Sequence, residues 1–469
     1  MDELNLKIVD YVANDQIKNE AAYDAARLSL QDALGCAILS LKFADCQKLL
    51  GPVVDGTVVP NGARVIGTPY ILDPITASFN LGSMIRWLDF NDTWLGKEWA
   101  HPSDTIGALL PLADYLSQTK KNFKMRDLLT GIIKAYEIQG TLAISNSFNQ
   151  IGFDHVIFVK IASAAVGAFF LGAHKNQVFD ALSNAWIDTG PIRAYRHFPN
   201  TGSRKSWAAG DQAARGLYFA FLTMKGEMGY SLALSAKKWG LYDVLFQGKP
   251  FKLVQPLDSH IIENILFKVL YPAEFHAQTA VEAAIQLHPL IRDKWDEIEK
   301  IEIETQEPAM RIIDKKGVLS NHADRDHCLQ YMVAVAILTG NLKEEDYSDQ
   351  NALNPLIDAL RNKMILKENA QFTKDYYDPK KRFIGNSISI AMLDGTIFGP
   401  ISISAPLGHP SRRKEATPCL LTKFERNLSS HYTKEKIKSL MELFADKERF
   451  ENLAVSSFVD YFMGCKDVK

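Results

Sequence analysis

The chain has 469 residues, 47% of them hydrophobic and 23% charged, with a formal net charge of -2. That length supports two or three domains with large buried cores, and the nearly neutral balance gives no electrostatic case for nucleic acid or an anionic membrane as partner. Any anion-binding site has to be assembled locally.

In chain order, the opening run "MDELNLKIVDY" is acidic and amphipathic rather than basic and then apolar, so no signal peptide is expected and the cytoplasm is the expected location. From there to about residue 260, apolar residues recur at three- and four-residue spacing, as in "YDAARLSLQDALGCAILSL", "DLLTGIIKAYEIQGTLAI" and "GDQAARGLYFAFLTM". This spacing predicts a bundle of many short helices. Alanine and glycine inside them lower helix propensity at the glycines but let neighbouring helices approach closely. The longest uncharged apolar run, "IASAAVGAFFLGA", is too short and too rich in small residues to span a bilayer, and reads as a buried helix.

After "NILFKVLYPAEFH" the pattern changes. "KIEIETQ" alternates apolar with polar, and "NSISIAMLDGTIFGPISIS" is two alternating runs joined by Asp394-Gly395, a strong hairpin signal. Helical segments such as "RDHCLQYMVAVAILTG" and "NPLIDALRNKM" lie between them. The expected fold is therefore mainly α: a large all-helical domain from residues 1–264 and 405–469, with a smaller α+β domain, 265–404, inserted in it. Five scattered cysteines, Cys36, Cys46, Cys328, Cys419 and Cys465, contain no Cys-x-x-Cys pair, so reduced thiols are expected rather than a disulfide framework.

No Gly-x-Gly-x-x-Gly follows a strand, and neither Gly-x-Ser-x-Gly nor His-Glu-x-x-His occurs, which leaves nucleotide redox, serine hydrolysis and zincin chemistry without a motif. "RAYRHFPNTGSRKS" places Arg193, Arg196, His197, Arg204 and Lys205 within thirteen residues. It reads equally as a polyanion site, where arginine forks grip carboxylates or phosphates, and as a solvated basic loop. His155 opens an apolar helix, where capping is as good a reading as catalysis. Lys268, Glu274 and His276 fall at the expected domain boundary, where clefts form. Asp326, His327 and Tyr331 start an apolar helix, with packing the plain reading for the tyrosine. His409 heads the basic turn "GHPSRRKEA".

The stretch "RWLDFNDTWLGKEWAHPSD" mixes carboxylates, a histidine and three tryptophans. If the preceding helix continued, Asp89, Asp92 and Thr93 would share one face, with His101 following a short loop. An acid/base assembly is the stronger functional reading and a divalent metal a weaker one, because no metal-ligand spacing is matched. A capped helix end stands beside both.

On these segments, together with "LLGPVVDGTVVPNGARV", "EIQG", "RHFPNTGSRKSWAAGD", "KGEMGYSLAL", "YPAEFHAQTAVEAA", "RIIDKKG" and "KKRFIGNSI", the chain resembles the MmgE/PrpD family essentially end to end. The resemblance implies a helical domain with an α+β lid, a site in the cleft between them, a homodimer, and no metal or cofactor. It also implies dehydration of 2-methylcitrate to 2-methyl-cis-aconitate in propionate breakdown, without an iron–sulfur cluster. A related decarboxylase branch supplies the pattern by which Asp89, His101, His155, Lys205 and Tyr331 are expected as catalytic, and Thr93 and Lys268 as binding residues. Arg193, Arg196, His197 and His276 complete the expected grip on a tricarboxylate. Decarboxylases tend to carry a histidine where this chain has Leu95 and lack the Arg193-x-x-Arg196-His197 run, so dehydration is favoured. Citrate or cis-aconitate hydration, decarboxylation and a non-catalytic tricarboxylate binder are the competing readings. Trp94 and Trp99 are expected as cleft walls, and Asp92 and Glu98 as capping or supporting groups.

Overall fold

The computed structural model describes residues 1–14, 16–119, 122–197 and 201–464. Cys465 and the Phe198-Pro199-Asn200 part of the cationic loop lie outside them.

The helical part is built from α1 (Glu20–Ser40), α2 (Pro74–Arg86), α3 (Ile106–Thr119), α4 (Met125–Ser145), α5 (Ile157–Leu171) and α6 (Arg204–Met224), with shorter helices between them. The apolar run read as a buried helix is α5, whose residues are almost all inaccessible. Helix α2 starts cleanly because the Asp73 side chain accepts from the Ile75 and Thr76 amides and Pro74 is pre-set for the first turn. The expected close approach of glycine-bearing helices occurs between α2, α3 and α6. A Cβ on Gly82 would stand 2.6 Å from the Gly210 Cα, and one on Gly107 would stand 2.6 Å from the Gly82 Cα.

The second core contains Tyr271 to Met392 and packs α7 (Gln278–Ile291) on a four-stranded sheet, with α8 (Leu329–Thr339) laid against α7. Its strands are β1 (Ile298–Thr305), β2 (Met364–Glu368), β3 (Asn386–Met392) and β4 (Ile397–Ile403), in the spatial order β2-β1-β3-β4. β1 runs parallel to β2 and antiparallel to β3. "KIEIETQ" became β1, burying Ile298, Ile301 and Ile303. The Asp394-Gly395 turn joins β3 to β4, with Gly395 at φ 87°. The chain then returns through α9 (Arg413–Ser429), which packs on α1 and belongs to the first core. A small apolar cluster of Leu95, Leu266, Phe275, Tyr376 and Ile384 lies where the two parts meet.

Candidate active site

Helix α2 does not continue through Asp89, as the shared-face reading required. It stops at Arg86, and Asp89 adopts φ 51°, a left-handed conformation that breaks the helix and that aspartate tolerates better than most residues. The break separates the two aspartates. Asp92 turns inward, accepting from the Ser103 amide at 3.1 Å, the Ser103 hydroxyl at 2.7 Å and the Tyr136 hydroxyl at 2.7 Å. It holds the turn after His101, and burial pushes its carboxyl up to about 6.

Asp89 is clasped instead by two cations. Arg86 pairs with its Oδ1, and Lys268 Nζ lies 3.0 Å from the same oxygen while also donating to the Asp89 carbonyl. Lys423, from α9, donates to the carbonyls of Phe90 at 2.8 Å and Lys268 at 2.7 Å, tying both segments together. It also pairs with the buried Asp32 at 2.7 Å.

A cavity of about 180 Å³ opens on this assembly. Its wall contains Arg86, Arg193, Arg196 and Arg311, and His101, His155, His197, His276 and His327, against two carboxylates, Asp89 and Glu274. Leu95, Trp99, Phe275 and Ile312 supply an apolar side. Residues from both parts of the molecule therefore line one space. A second cavity of about 330 Å³ shares Leu95, Trp99, Asn149 and Arg311 with it, and also touches Arg382, Tyr376 and Tyr377.

Hydrogen bonding distinguishes the histidines. His101 Nδ1 lies 2.7 Å from the Asp92 carbonyl, which can only accept, so Nδ1 carries the hydrogen and Nε2 is left bare, 4.0 Å from Asp89 Oδ1. His155 Nδ1 is 3.0 Å from Asp154 Oδ1, without the alignment of a hydrogen bond, and both its ring nitrogens are otherwise unpartnered. The His101 and His155 rings are 5.6 Å apart. His276 has no nitrogen to spare: Nδ1 donates to Glu274 at 2.8 Å and Nε2 accepts from the Tyr376 hydroxyl at 3.1 Å.

The electrostatics follow from burial inside a cationic shell. Burial, with Arg86 and Lys268 adding to it, holds the His101 imidazole well below its ordinary range. Burial likewise depresses His155 well below its ordinary range, with Asp154 opposing and Arg196, Arg193 and Arg86 adding to the burial. Both are therefore neutral proton acceptors near pH 7. Burial alone would raise Asp154, but Arg196, His155 and Arg193 hold it well below the carboxylate range. Asp154 also accepts from Tyr195 at 2.8 Å and pairs with Arg196. Burial lowers Lys205 to about 8 despite Asp326 beside it.

Of the expected residues, Asp89, Thr93, His101, His155, Arg193, Arg196, His197 and His276 line the cavity. Lys268 and Lys205 stand behind the wall, on Asp89 and Asp326 respectively. Tyr331 is elsewhere: its hydroxyl donates to the Asp346 carbonyl at 2.7 Å, and it borders a separate groove of about 790 Å³. Trp99 is a wall, whereas Trp94 is core, donating from Nε1 to the Gly140 carbonyl at 3.2 Å. Glu98 is fully buried and accepts from the Ser147 hydroxyl and the Asn149 amide. His409 caps the turn before α9. Sequence reasoning missed Arg86, Arg311 and, as a wall residue, His327. The signal for Arg86 was its place three residues before Asp89; nothing local marks Arg311.

Among the described residues no cluster of three or more His, Cys, Asp or Glu side chains is arranged to hold a metal ion. Cys36, Cys46, Cys328 and Cys419 are free thiols. No helix among the described residues is long and apolar enough to cross a membrane.

Residues 6–254 match the model of the MmgE/PrpD N-terminal domain, and residues 271–447 that of the MmgE/PrpD C-terminal domain. The chain is 49% identical to a 2-methylcitrate dehydratase of Salmonella typhimurium over 97% of this chain and 96% of that protein. It is also 49% identical to one from Cupriavidus necator, covering 98% and 97%. A mitochondrial 2-methylcitrate dehydratase of Yarrowia lipolytica is 48% identical, covering 98% and 90%.

Proposed function

The chain belongs to the MmgE/PrpD family, and from that membership and the cavity we infer that it is a hydro-lyase removing water from 2-methylcitrate to give 2-methyl-cis-aconitate. The observation that carries the reading is the wall itself: four arginines around a small enclosed space in which His101 keeps a bare Nε2 and His155 has both ring nitrogens unpartnered. A trianion satisfies such a shell, and guanidinium groups bind carboxylates bidentately.

The chemistry asks for what this site contains. A proton leaves carbon next to a carboxylate while hydroxide, a poor leaving group, departs from the neighbouring carbon. Arg193, Arg196 and Arg86 hold carboxylates and stabilise the enolate-like charge that develops on one of them. His155 is the base in this reading. His101, a neutral ring whose bare Nε2 faces Asp89, is a second proton acceptor, and the departing hydroxyl takes its proton from another group of the wall. Thr93 and His197 line the substrate space, Lys268 keeps Asp89 in place, and the reaction is read as needing no iron–sulfur cluster. The α+β part, residues 265–404, acts as a lid, and the enzyme works as a homodimer in the cytoplasm; Met228, Tyr230, Trp239 and Val244 are exposed apolar side chains available to that assembly.

The substrate's extra methyl group suits the apolar side formed by Leu95, Phe275 and Ile312. A methyl contact separates substrates by only about 1–3 kcal/mol, so citrate is expected as a slower alternative. The test is the product formed from synthetic 2-methylcitrate after chelator treatment, followed by the absorbance of the unsaturated acid, with citrate run beside it. Single-turnover rates of His155→Ala and Lys205→Ala complete it; near-normal rates in both would sink the site assignment.

A further inference from the structure

The segment "RDHCLQY", expected to bring Tyr331 to the chemistry, brings a different residue. Tyr331 is turned away onto the Asp346 carbonyl, whereas His327, four residues earlier, lines the cavity. His327 Nδ1 lies 2.6 Å from Asp326 Oδ1, so the ring hydrogen sits on Nδ1. Among the described residues its Nε2 has no hydrogen-bond partner. Asp326 is wholly buried, and its second oxygen accepts from Lys205 Nζ at 2.5 Å, with His322 Nδ1 3.5 Å away. Lys205 Nζ also stands 3.4 Å from His327 Nδ1, so it acts on the cavity through Asp326 and His327 rather than by touching its contents.

A looser counterpart stands on the helical part, where Asp154 lies 3.0 Å from His155 Nδ1 without a hydrogen bond between them. Both pairs are Asp-His neighbours in the chain, one from each part of the molecule. An ionised carboxylate behind an imidazole fixes its tautomer and stabilises the imidazolium when a proton arrives.

We propose that His327 is a catalytic residue, the acid that serves the departing hydroxyl while His155 serves as base, with Asp326 and Lys205 as its positioning residues. The proposal rests on the dehydratase reading and deepens it. The carbon–hydrogen bond breaks toward His155, its electron pair becomes the second carbon–carbon bond, and the carbon–oxygen bond breaks. Substrate binds with His327 as the imidazolium, its Nε2 proton taken from solvent; the hydroxyl takes that proton and leaves as water, and the ring keeps its Nδ1 hydrogen on Asp326. His155 then releases one proton to solvent and His327 regains one. Burial and Lys205 push the His327 imidazole down to about 3, with Asp326 and Glu274 opposing them. The carboxylates of a bound tricarboxylate add to that opposition and favour the protonated ring.

The experiment measures kcat for His327→Ala and His327→Gln with 2-methylcitrate, the affinity of each for the unreactive analogue tricarballylate, and recovery of His327→Ala by added imidazole. A loss of about 100-fold or more is expected with analogue binding little changed, and partial recovery with imidazole. Asp326→Asn is expected to lose activity as well, and the Asp326→Asn/His327→Ala pair to be no worse than His327→Ala alone. If the alanine variant does not fold, the glutamine variant, judged against Asp326→Asn, decides. Rates within about threefold of wild type, or a loss that tracks lost analogue binding without imidazole recovery, overturn the proposal. A wild-type enzyme inactive on 2-methylcitrate counts against the dehydratase reading alone, and the ratio of variant to wild type is then read on the tricarboxylate it does turn over.

Discussion

The backbones of Gly82 and Gly210 meet with no side chain between them, and Gly107 presses on the same point. These two contacts fix how α2, α3 and α6 cross. α2 ends in Arg86, α3 follows the turn after His101, and α6 carries Lys205 in its first turn. The glycines therefore set the distances within the site from below.

Gly210→Ala would put its Cβ 2.7 Å from the Phe79 carbonyl oxygen and 2.7 Å from the Ser83 amide nitrogen, backbone atoms that cannot swing aside. Overpacking of this kind costs about 1–3 kcal/mol. Denaturant unfolding should show that loss together with reduced kcat, because Arg86 and Lys205 move apart. An unchanged unfolding midpoint would mean the helices can slide freely.

Lys423→Met removes the cation from a wholly enclosed pair and leaves Asp32 without it. Breaking one side of a buried ion pair costs about 3–5 kcal/mol. Asp32→Asn/Lys423→Met should recover part of the stability in a double-mutant cycle. It should recover little activity, since the Phe90 and Lys268 carbonyls stay unheld. Full recovery of kcat in the double variant would show that the ion pair alone mattered.

Glu98 titrates where it can be watched. Burial raises its carboxyl from 4.5 to about 7, and its Oε1 has no hydrogen-bond partner. The folded state holds this proton more tightly than the unfolded chain does. Its contribution to stability is therefore fully present below about pH 4.5 and is lost as the pH rises through 7. The full swing is roughly 3 kcal/mol. Glu98→Gln keeps an acceptor for Ser147 and Asn149 and should remove that slope, so that the variant gains on wild type between pH 5 and 8. Parallel stability–pH curves would refute it.

Tyr331→Phe should leave kcat within about twofold of wild type and cost about 1 kcal/mol of stability, the worth of one hydrogen bond to the Asp346 carbonyl. A hundredfold fall in kcat would place the phenol in the reaction after all.

Short-range patterns in the chain were enough for the class of fold and for most of the site's ingredients. Local rules govern both: helical spacing in α1 to α6, alternation in β1 and the Asp394-Gly395 turn are short-range signals, and the cationic loop and the tryptophan-rich stretch are clusters of chemistry visible in a line. Tertiary structure decided which of those groups converge. Asp89 and Asp92 were read as neighbours on one helix face, yet a single left-handed residue sends one to the cavity and the other to Ser103 and Tyr136. Tyr331 and His327 lie one helical turn apart in the sequence, and only the tertiary packing, with α8 laid against α7, decided that the histidine faces the arginines while the phenol does not. Arg311 enters the same wall from a segment more than a hundred residues beyond the cationic loop. Periodicity records which side of an element is buried; it does not record what that side is buried against, and in this protein that difference separates the residues that form the cavity wall from those that support it.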